Sequence, residues 1–180
     1  DPVNDAPIID VIENQATNED ELFSITPSAF DIDGDFLTYT ASNGDTELIV
    51  EGNQLTVIPE SDFHGTVEIL VTVSDYEYSD TTTFILTVLP VNDAPILDII
   101  SNQTINEDES LSIELSASDI DGDQLYFNAS VDENASLTLD GTSLTVSPES
   151  NYNGTIVVSY SVSDGEYSVS DSFNLIVSSV

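Results

Sequence analysis

The hexapeptide Val-Asn-Asp-Ala-Pro-Ile occurs twice, at Val3 to Ile8 and at Val91 to Ile96, 88 residues apart. Such a recurrence marks a tandem array, and it limits the fold to one that a short stretch of chain can complete and then repeat. The same register carries Asn18-Glu19-Asp20 onto Asn106-Glu107-Asp108, and Asp31-Ile32-Asp33-Gly34-Asp35 onto Asp119-Ile120-Asp121-Gly122-Asp123. Further on the offset becomes 89, pairing Pro59-Glu60-Ser61 with Pro148-Glu149-Ser150 and Ser74-Asp75 with Ser163-Asp164. One residue is therefore gained between Ala41 and Leu55, or between Ala129 and Leu144 in the second copy, in a loop. The expected domains are 1–90 and 91–180, each of ordinary domain size.

Within each copy, short segments alternate apolar and polar residues at period two, the signature of half-buried strands. From Thr66 to Ser74, Val67, Ile69, Val71 and Val73 face one way while Thr66, Glu68 and Thr72 face the other. The counterpart turns Ile156, Val158, Tyr160 and Val162 inward. Phe84, Leu86 and Val88 mark a further strand, as do Phe23 with Ile25, Leu37 with Tyr39, and Leu55 with Val57. No stretch has helical periodicity, and Gly, Asn, Asp or Pro stand at the breaks. The expected fold is all-β, with two tandem seven-stranded antiparallel β-sandwiches of cadherin or Ig-like Greek-key type in an elongated, end-to-end arrangement.

Charge narrows the function. The 180 residues include 35 Asp plus Glu and no Lys or Arg, so the side chains supply no cation to balance them. Nucleic acid is excluded as a partner because polyphosphate binding needs Lys or Arg, and an anionic membrane surface is excluded for the same reason. Disorder is excluded by a hydrophobic fraction of 39% with regular spacing. No apolar run approaches the length of a spanning helix, so membrane insertion is not expected. Residues Asp1 to Asp5 do not resemble a signal peptide, and the chain is expected to be an interior piece of a longer array. With no Cys, disulfide stapling is closed to these small domains, and a metal is the remaining common staple.

The VNDAPI element ahead of a β module, the DIDGD loop and the later Ser-Asp turn together resemble the cadherin-like tandem repeats of large bacterial adhesins and secreted polysaccharide-degrading proteins. Animal cadherins of this kind place calcium between consecutive modules. The resemblance implies inter-repeat calcium ligands at Glu19, Glu60 and Asp62, at Asn92 and Asp93, and at Asp119, Asp121 and Asp164. It implies that Asn4, Asp5, Asp31, Asp33 and Asp75 form a half-site with a preceding repeat, and that Glu107 and Glu149 form one with a following repeat. Three positions depart from the cadherin pattern. Its first linker acid falls on Pro90, its last Asn on Ala94, and Asp62 is matched by Asn151 in the second copy. Calcium suits such a set because it takes six to eight oxygen ligands from carboxylates, carbonyls and water. Asp20, Asp35 and Asp123 sit beside these ligands and read as turn-forming residues.

The competing readings are weaker. An EF-hand loop needs Gly at position six and Glu at twelve, whereas Gly34 is fourth and Ser42 twelfth from Asp31. The lone histidine, His64, is replaced by Asn153 in the other copy, so a loop residue is expected rather than a catalyst. Glu60 and Asp62 could form the carboxylate pair of a glycosidase. They belong instead to the metal pattern, in a chain without Trp or cationic groups, and no enzyme is expected. Asn102, Asn128, Asn134 and Asn153 head glycosylation sequons that would matter only in a eukaryotic secretory pathway. Tyr76, Tyr78 and Tyr167 could stack on sugars or pack over a sandwich end.

The expectation is a calcium-rigidified stalk or spacer of a bacterial surface adhesin, extracellular or secreted, whose partners are neighbouring repeats of its parent chain. The alternatives are a module that binds polysaccharide or like repeats on a secreted enzyme, or a segment of an extracellular filament or surface layer.

Overall fold

The computed structural model describes residues 3–43 and 46–180, and no helix occurs among them. The chain divides into two compact units, Asp1–Val91 and Asn92–Val180. The first contains β1 (Ile8–Ile9), β2 (Gln15–Asn18), β3 (Phe23–Ile25), β4 (Ala29–Phe30), β5 (Thr38–Ser42), β6 (Glu47–Glu51), β7 (Gln54–Ile58), β8 (Gly65–Ser74) and β9 (Ser79–Leu89). The second repeats the order as β10 (Ile96–Leu97), β11 (Gln103–Asn106), β12 (Leu111–Glu114), β13 (Ala117–Ser118), β14 (Tyr126–Val131), β15 (Ala135–Asp140), β16 (Ser143–Pro148), β17 (Gly154–Ser163) and β18 (Ser168–Ser178).

In each unit a four-stranded sheet faces a three-stranded one. The orders are β2-β9-β8-β5 against β3-β7-β6 in the first unit, and β11-β18-β17-β14 against β12-β16-β15 in the second. The short β1 pairs with β4, and β10 with β13. Counted as continuous strands there are seven per unit, the first interrupted at 10–14 and the second at 26–28 in the first unit. Pro27 accounts for part of the second break, since it has no N–H to offer a ladder.

The first break is a crossing from one layer to the other. Its backbone is pinned where Asp10 N–H donates to the Ser28 carbonyl at 2.9 Å, and where the Asn14 Oδ1 accepts Ile85 N–H at 2.9 Å. The second unit uses Asp98 to Ser116 at 3.0 Å and Asn174 to Asn102 at 2.9 Å in the same way.

The alternation read from the sequence is realised in the burial. Ile69, Val71 and Val73 of β8 are at most 1% exposed, whereas Leu70 between them points outward at 38%. They pack against Leu55 and Val57 of β7 and Phe84 and Leu86 of β9, with Phe23 tilted against Phe84 at a centroid distance of 6.3 Å. The second core joins Leu144 and Val146 to Ile156, Val158, Phe173 and Leu175. Full burial of each such side chain is worth about 1.5–3 kcal/mol. Leu37 lies one residue before β5 but still packs against its core.

The second core also contains a hydroxyl. Tyr160 stands where the first unit has Val71, and its oxygen accepts Ile100 N–H at 2.9 Å and donates to the Asp98 carbonyl at 3.3 Å. Burial pushes this phenol above its ordinary pKa, with Asp171 adding to the rise against the Ile100 hydrogen bond. In the first unit the same corner is tied by Asp80, whose Oδ2 accepts Ile9 N–H at 3.0 Å. The extra residue of the second copy falls between β14 and β15. Its counterpart segment includes Gly44 and Asp45, which lie outside the described residues.

Candidate metal sites

The chain leaves β4 at Phe30 and turns at once around Asp31. One oxygen of that carboxylate, Oδ1, accepts the backbone N–H groups of Asp33 at 2.9 Å, Gly34 at 3.0 Å and Asp35 at 3.2 Å. Wrapping three successive amides around one oxygen requires a left-handed residue within the turn, and Gly34 supplies it at φ +79°. The consequence is convergence: Asp31, Asp33 and Asp35 each offer a carboxylate oxygen within 4.8 Å of the other two. Oxygens that share one ion at calcium distances of about 2.3–2.6 Å can lie no more than about 5 Å apart, so the spacing fits.

Asp31 is only 6% exposed, and its Oδ2 is buried without a hydrogen-bond partner. An ionised oxygen removed from water costs several kcal/mol unless something neutralises it, and the chain has no Lys or Arg to do so. The second unit repeats the arrangement. Asp119 Oδ1 accepts Asp121 N–H at 3.0 Å and Asp123 N–H at 3.2 Å, its Oδ2 is buried and unpartnered, and Asp119, Asp121 and Asp123 converge within the same 4.8 Å. An orphaned acceptor among carboxylates, with no protein cation, is what a hard divalent ion satisfies. The residues present fit calcium.

The repeated hexapeptide is strapped onto this turn. In the first unit Asp5 N–H donates to Asp33 Oδ2 at 2.8 Å, and the Asn4 amide donates to Asp75 Oδ2 at 2.9 Å. In the second, Asp93 and Asn92 make the same bonds to Asp121 and Asp164, at 2.8 and 2.9 Å. Asp75 Oδ1 also accepts Glu77 and Tyr78 N–H at 2.7 and 2.6 Å, and Asp164 Oδ1 accepts Glu166 and Tyr167 N–H at the same distances. The Tyr78 N–H, with the Asn4 and Glu77 bonds, holds the Asp75 carboxyl below its ordinary pKa. At Asp164 desolvation acts upward, but the bonds from Asn92, Glu166 and Tyr167 outweigh it and the pKa is again lowered. Each unit therefore links Asn4, Asp5, Asp31, Asp33 and Asp75, or Asn92, Asp93, Asp119, Asp121 and Asp164, through its own hydrogen bonds.

The remaining expected ligands lie at strand ends. Glu19 is 3% exposed, its Oε1 accepts Val91 N–H at 2.5 Å, and its Oε2 lies 3.6 Å from His64 Nδ1. Glu107 accepts Val180 N–H at 2.9 Å in the equivalent way. Asp62 donates its N–H to Asp20 Oδ1 at 3.3 Å, and the two side chains have oxygens within 4.8 Å of each other. Asn151 and Asp108 make the matching bond at 3.0 Å. Glu60 and Glu149 are exposed and belong to none of the converging groups among the described residues. Asp35 and Asp123, read from sequence as turn formers, complete such groups within their own units, and Asp20, read the same way, lies beside Asp62. Asp35 and Asp123 each stand four residues after Asp31 and Asp119, and that spacing was the available signal for them. Tyr76, Tyr78 and Tyr167 are 77%, 46% and 44% exposed. Among the described residues no helix is long and apolar enough to cross a membrane.

A family model described as bacterial Ig domain matches residues 4–87 and again residues 92–176. Chitinase A of Pseudoalteromonas piscicida is 29% identical over 182 residues, a match that covers 97% of this chain and 22% of that protein. The chain thus spans well under half the length of this curated relative. Among solved structures, Drosophila N-cadherin EC1-4 matches with a TM-score of 0.58 at 17% identity, over 98% of this chain and 50% of that one. Human protocadherin-24 EC1-2 matches at 0.53 and 14%, over 86% and 87%. At these identities the likeness to the cadherins is one of fold, and it agrees with the cadherin-like repeat expected from VNDAPI and DIDGD.

Proposed function

The chain belongs to the bacterial Ig domain family as two copies in tandem, and from that premise we propose that it is a calcium-stiffened spacer within a larger extracellular bacterial protein. The observation that supports this most directly is the buried, unpartnered oxygen of Asp31, repeated at Asp119, in a chain without a basic side chain. Calcium supplies the missing positive charge when bound. In the second unit Asn92, Asp93, Asp119, Asp121 and Asp164 are the proposed ligands, and in the first Asn4, Asp5, Asp31, Asp33 and Asp75. Because Asn92 and Asp93 directly follow the boundary at Val91, an ion held there fixes the backbone with which the second unit begins.

Stiffening is what a spacer requires, since a string of modules on slack linkers does not hold a terminal domain at a distance. Extracellular calcium modules have dissociation constants of about 10⁻⁴–10⁻³ M, so such sites fill outside a cell and stay empty in cytosol. The chain's small share of chitinase A suits a module carried by a longer protein. The work proposed for it is mechanical, in an adhesin or beside a secreted enzyme's catalytic domain.

The test is thermal melting and small-angle scattering of the 180-residue chain in calcium and in chelator, with Asp121→Ala alongside. Calcium at a hundred times its dissociation constant should stabilise by about 2.7 kcal/mol per site. Asp121→Ala should lose that gain for the second unit. A melting temperature and scattering curve unchanged by chelator would overturn the proposal.

A further inference from the structure

We infer that each unit holds a complete calcium site of its own, and that the third carboxylate of its turn, Asp35 in the first unit and Asp123 in the second, is a ligand of that ion. This rests on the calcium reading above but departs from the two-module sites that the family resemblance implied. There Asp31 and Asp33 wait for a neighbouring repeat, and Asp35 only shapes a turn.

The turn does not need the Asp35 side chain. Its closing bond comes from the Asp35 backbone N–H to Asp31 Oδ1 at 3.2 Å, and any residue has that N–H. The carboxylate is left over, and it is placed with an oxygen within 4.8 Å of oxygens from both Asp31 and Asp33. Asp123 stands in the same relation to Asp119 and Asp121, with its own N–H spent on Asp119 Oδ1.

The second and independent observation is Asp31 itself. It is more than nine-tenths buried; Oδ1 is saturated by three amides, and Oδ2 has no partner. Oδ2 is therefore the Asp31 oxygen available to an ion. Asp33 gives one oxygen to the Asp5 amide and keeps the other free of that bond. Three carboxylates at this spacing come from one five-residue turn, so no other module is required to assemble them. Their exposed side, at Asp33 and Asp35, leaves room for the waters that bring calcium to six or more ligands. An irregular set of oxygens open to water suits calcium, which tolerates variable geometry, better than magnesium, which keeps its waters and demands stricter octahedral geometry.

The experiment is calorimetric titration of the decalcified 180-residue chain with calcium chloride, comparing wild type with Asp35→Asn, Asp123→Asn and the double variant. Glu68→Gln, exposed on β8 and outside every converging group, is the control. Asp35→Asn should remove one ion per chain or weaken it at least tenfold while leaving the ion of the second unit intact. Asp123→Asn should do the reverse, and the double variant should lose both. Each variant should melt in chelator within a degree or two of wild type, and Asp35→Ser gives a second substitution should Asn perturb folding. Wild-type uptake with unchanged stoichiometry and affinity in Asp35→Asn and Asp123→Asn would overturn the inference and leave the spacer reading standing. Loss of both ions from a single substitution would overturn the self-contained site. No uptake by wild type would end both proposals.

Discussion

At the scale of single residues, a carboxylate here is defined by which backbone amides reach it. Asp75 and Asp164 each gather two N–H groups and an asparagine amide, and their pKa values fall below the ordinary 3.8. A carboxyl whose folded pKa is depressed contributes stability that is present above its unfolded pKa and is lost as pH falls through the folded one. In chelator, the wild type should therefore lose more melting temperature than Asp164→Asn between pH 5 and pH 3. Calorimetric scans at matched ionic strength would show it, and parallel pH profiles would count against it. The comparison with a variant is needed because general protonation relieves repulsion among the other acids and pushes stability the opposite way. The acids of the turns were legible in the sequence as a pattern of spacing. Which of them converge was not, because convergence depends on a left-handed Gly34 and on amides aimed at a single oxygen of Asp31.

At the scale of elements, strand entry is governed by glycines packed beneath aromatic rings. β17 begins at Gly154, φ +150°, where an added Cβ would sit 2.7 Å from the Tyr152 hydroxyl oxygen and 3.1 Å from its ring. β8 begins at Gly65, φ +145°, where the nearest atom of Phe63 is 3.4 Å away. Both positions are strained for any other residue, and only the first also clashes. Gly154→Ala should cost about 1–3 kcal/mol, and more than Gly65→Ala, as read from denaturant midpoints. Equal losses would mean that backbone strain alone matters. Strands of this length announce themselves by alternation, and Ile69, Val71, Leu144 and Val158 point inward as their spacing requires. The two-residue pieces β1, β4, β10 and β13 do not, because a pair of residues has no period to read. Their place follows from the crossings at Asp10 and Asp98, which join residues distant in sequence.

At the scale of the whole molecule, 35 uncompensated negative charges surround two cores built from aliphatic side chains and a few aromatic rings. Self-repulsion of that size works against the compact state, and added salt screens it over a Debye length that shrinks from about 10 Å at 0.1 M to about 3 Å at 1 M. In chelator, raising sodium chloride from 0.05 M to 0.5 M should raise the melting temperature, and the rise should shrink when calcium is present. A melting temperature indifferent to salt would show that the acids lie too far apart to matter. The tandem plan itself was legible from VNDAPI alone, since a hexapeptide recurring at the length of a domain leaves little else for the chain to be. One pairing gives that plan a further property. Within the first unit β2 runs parallel to β9, Gln15 beside Leu86 through Asn18 beside Leu89, and β11 lies against β18 in the same sense. A pull on the two ends of such a unit drags these strands lengthwise past each other. All the rungs between them then bear the load at once, whereas antiparallel terminal strands would open one rung at a time like a zip.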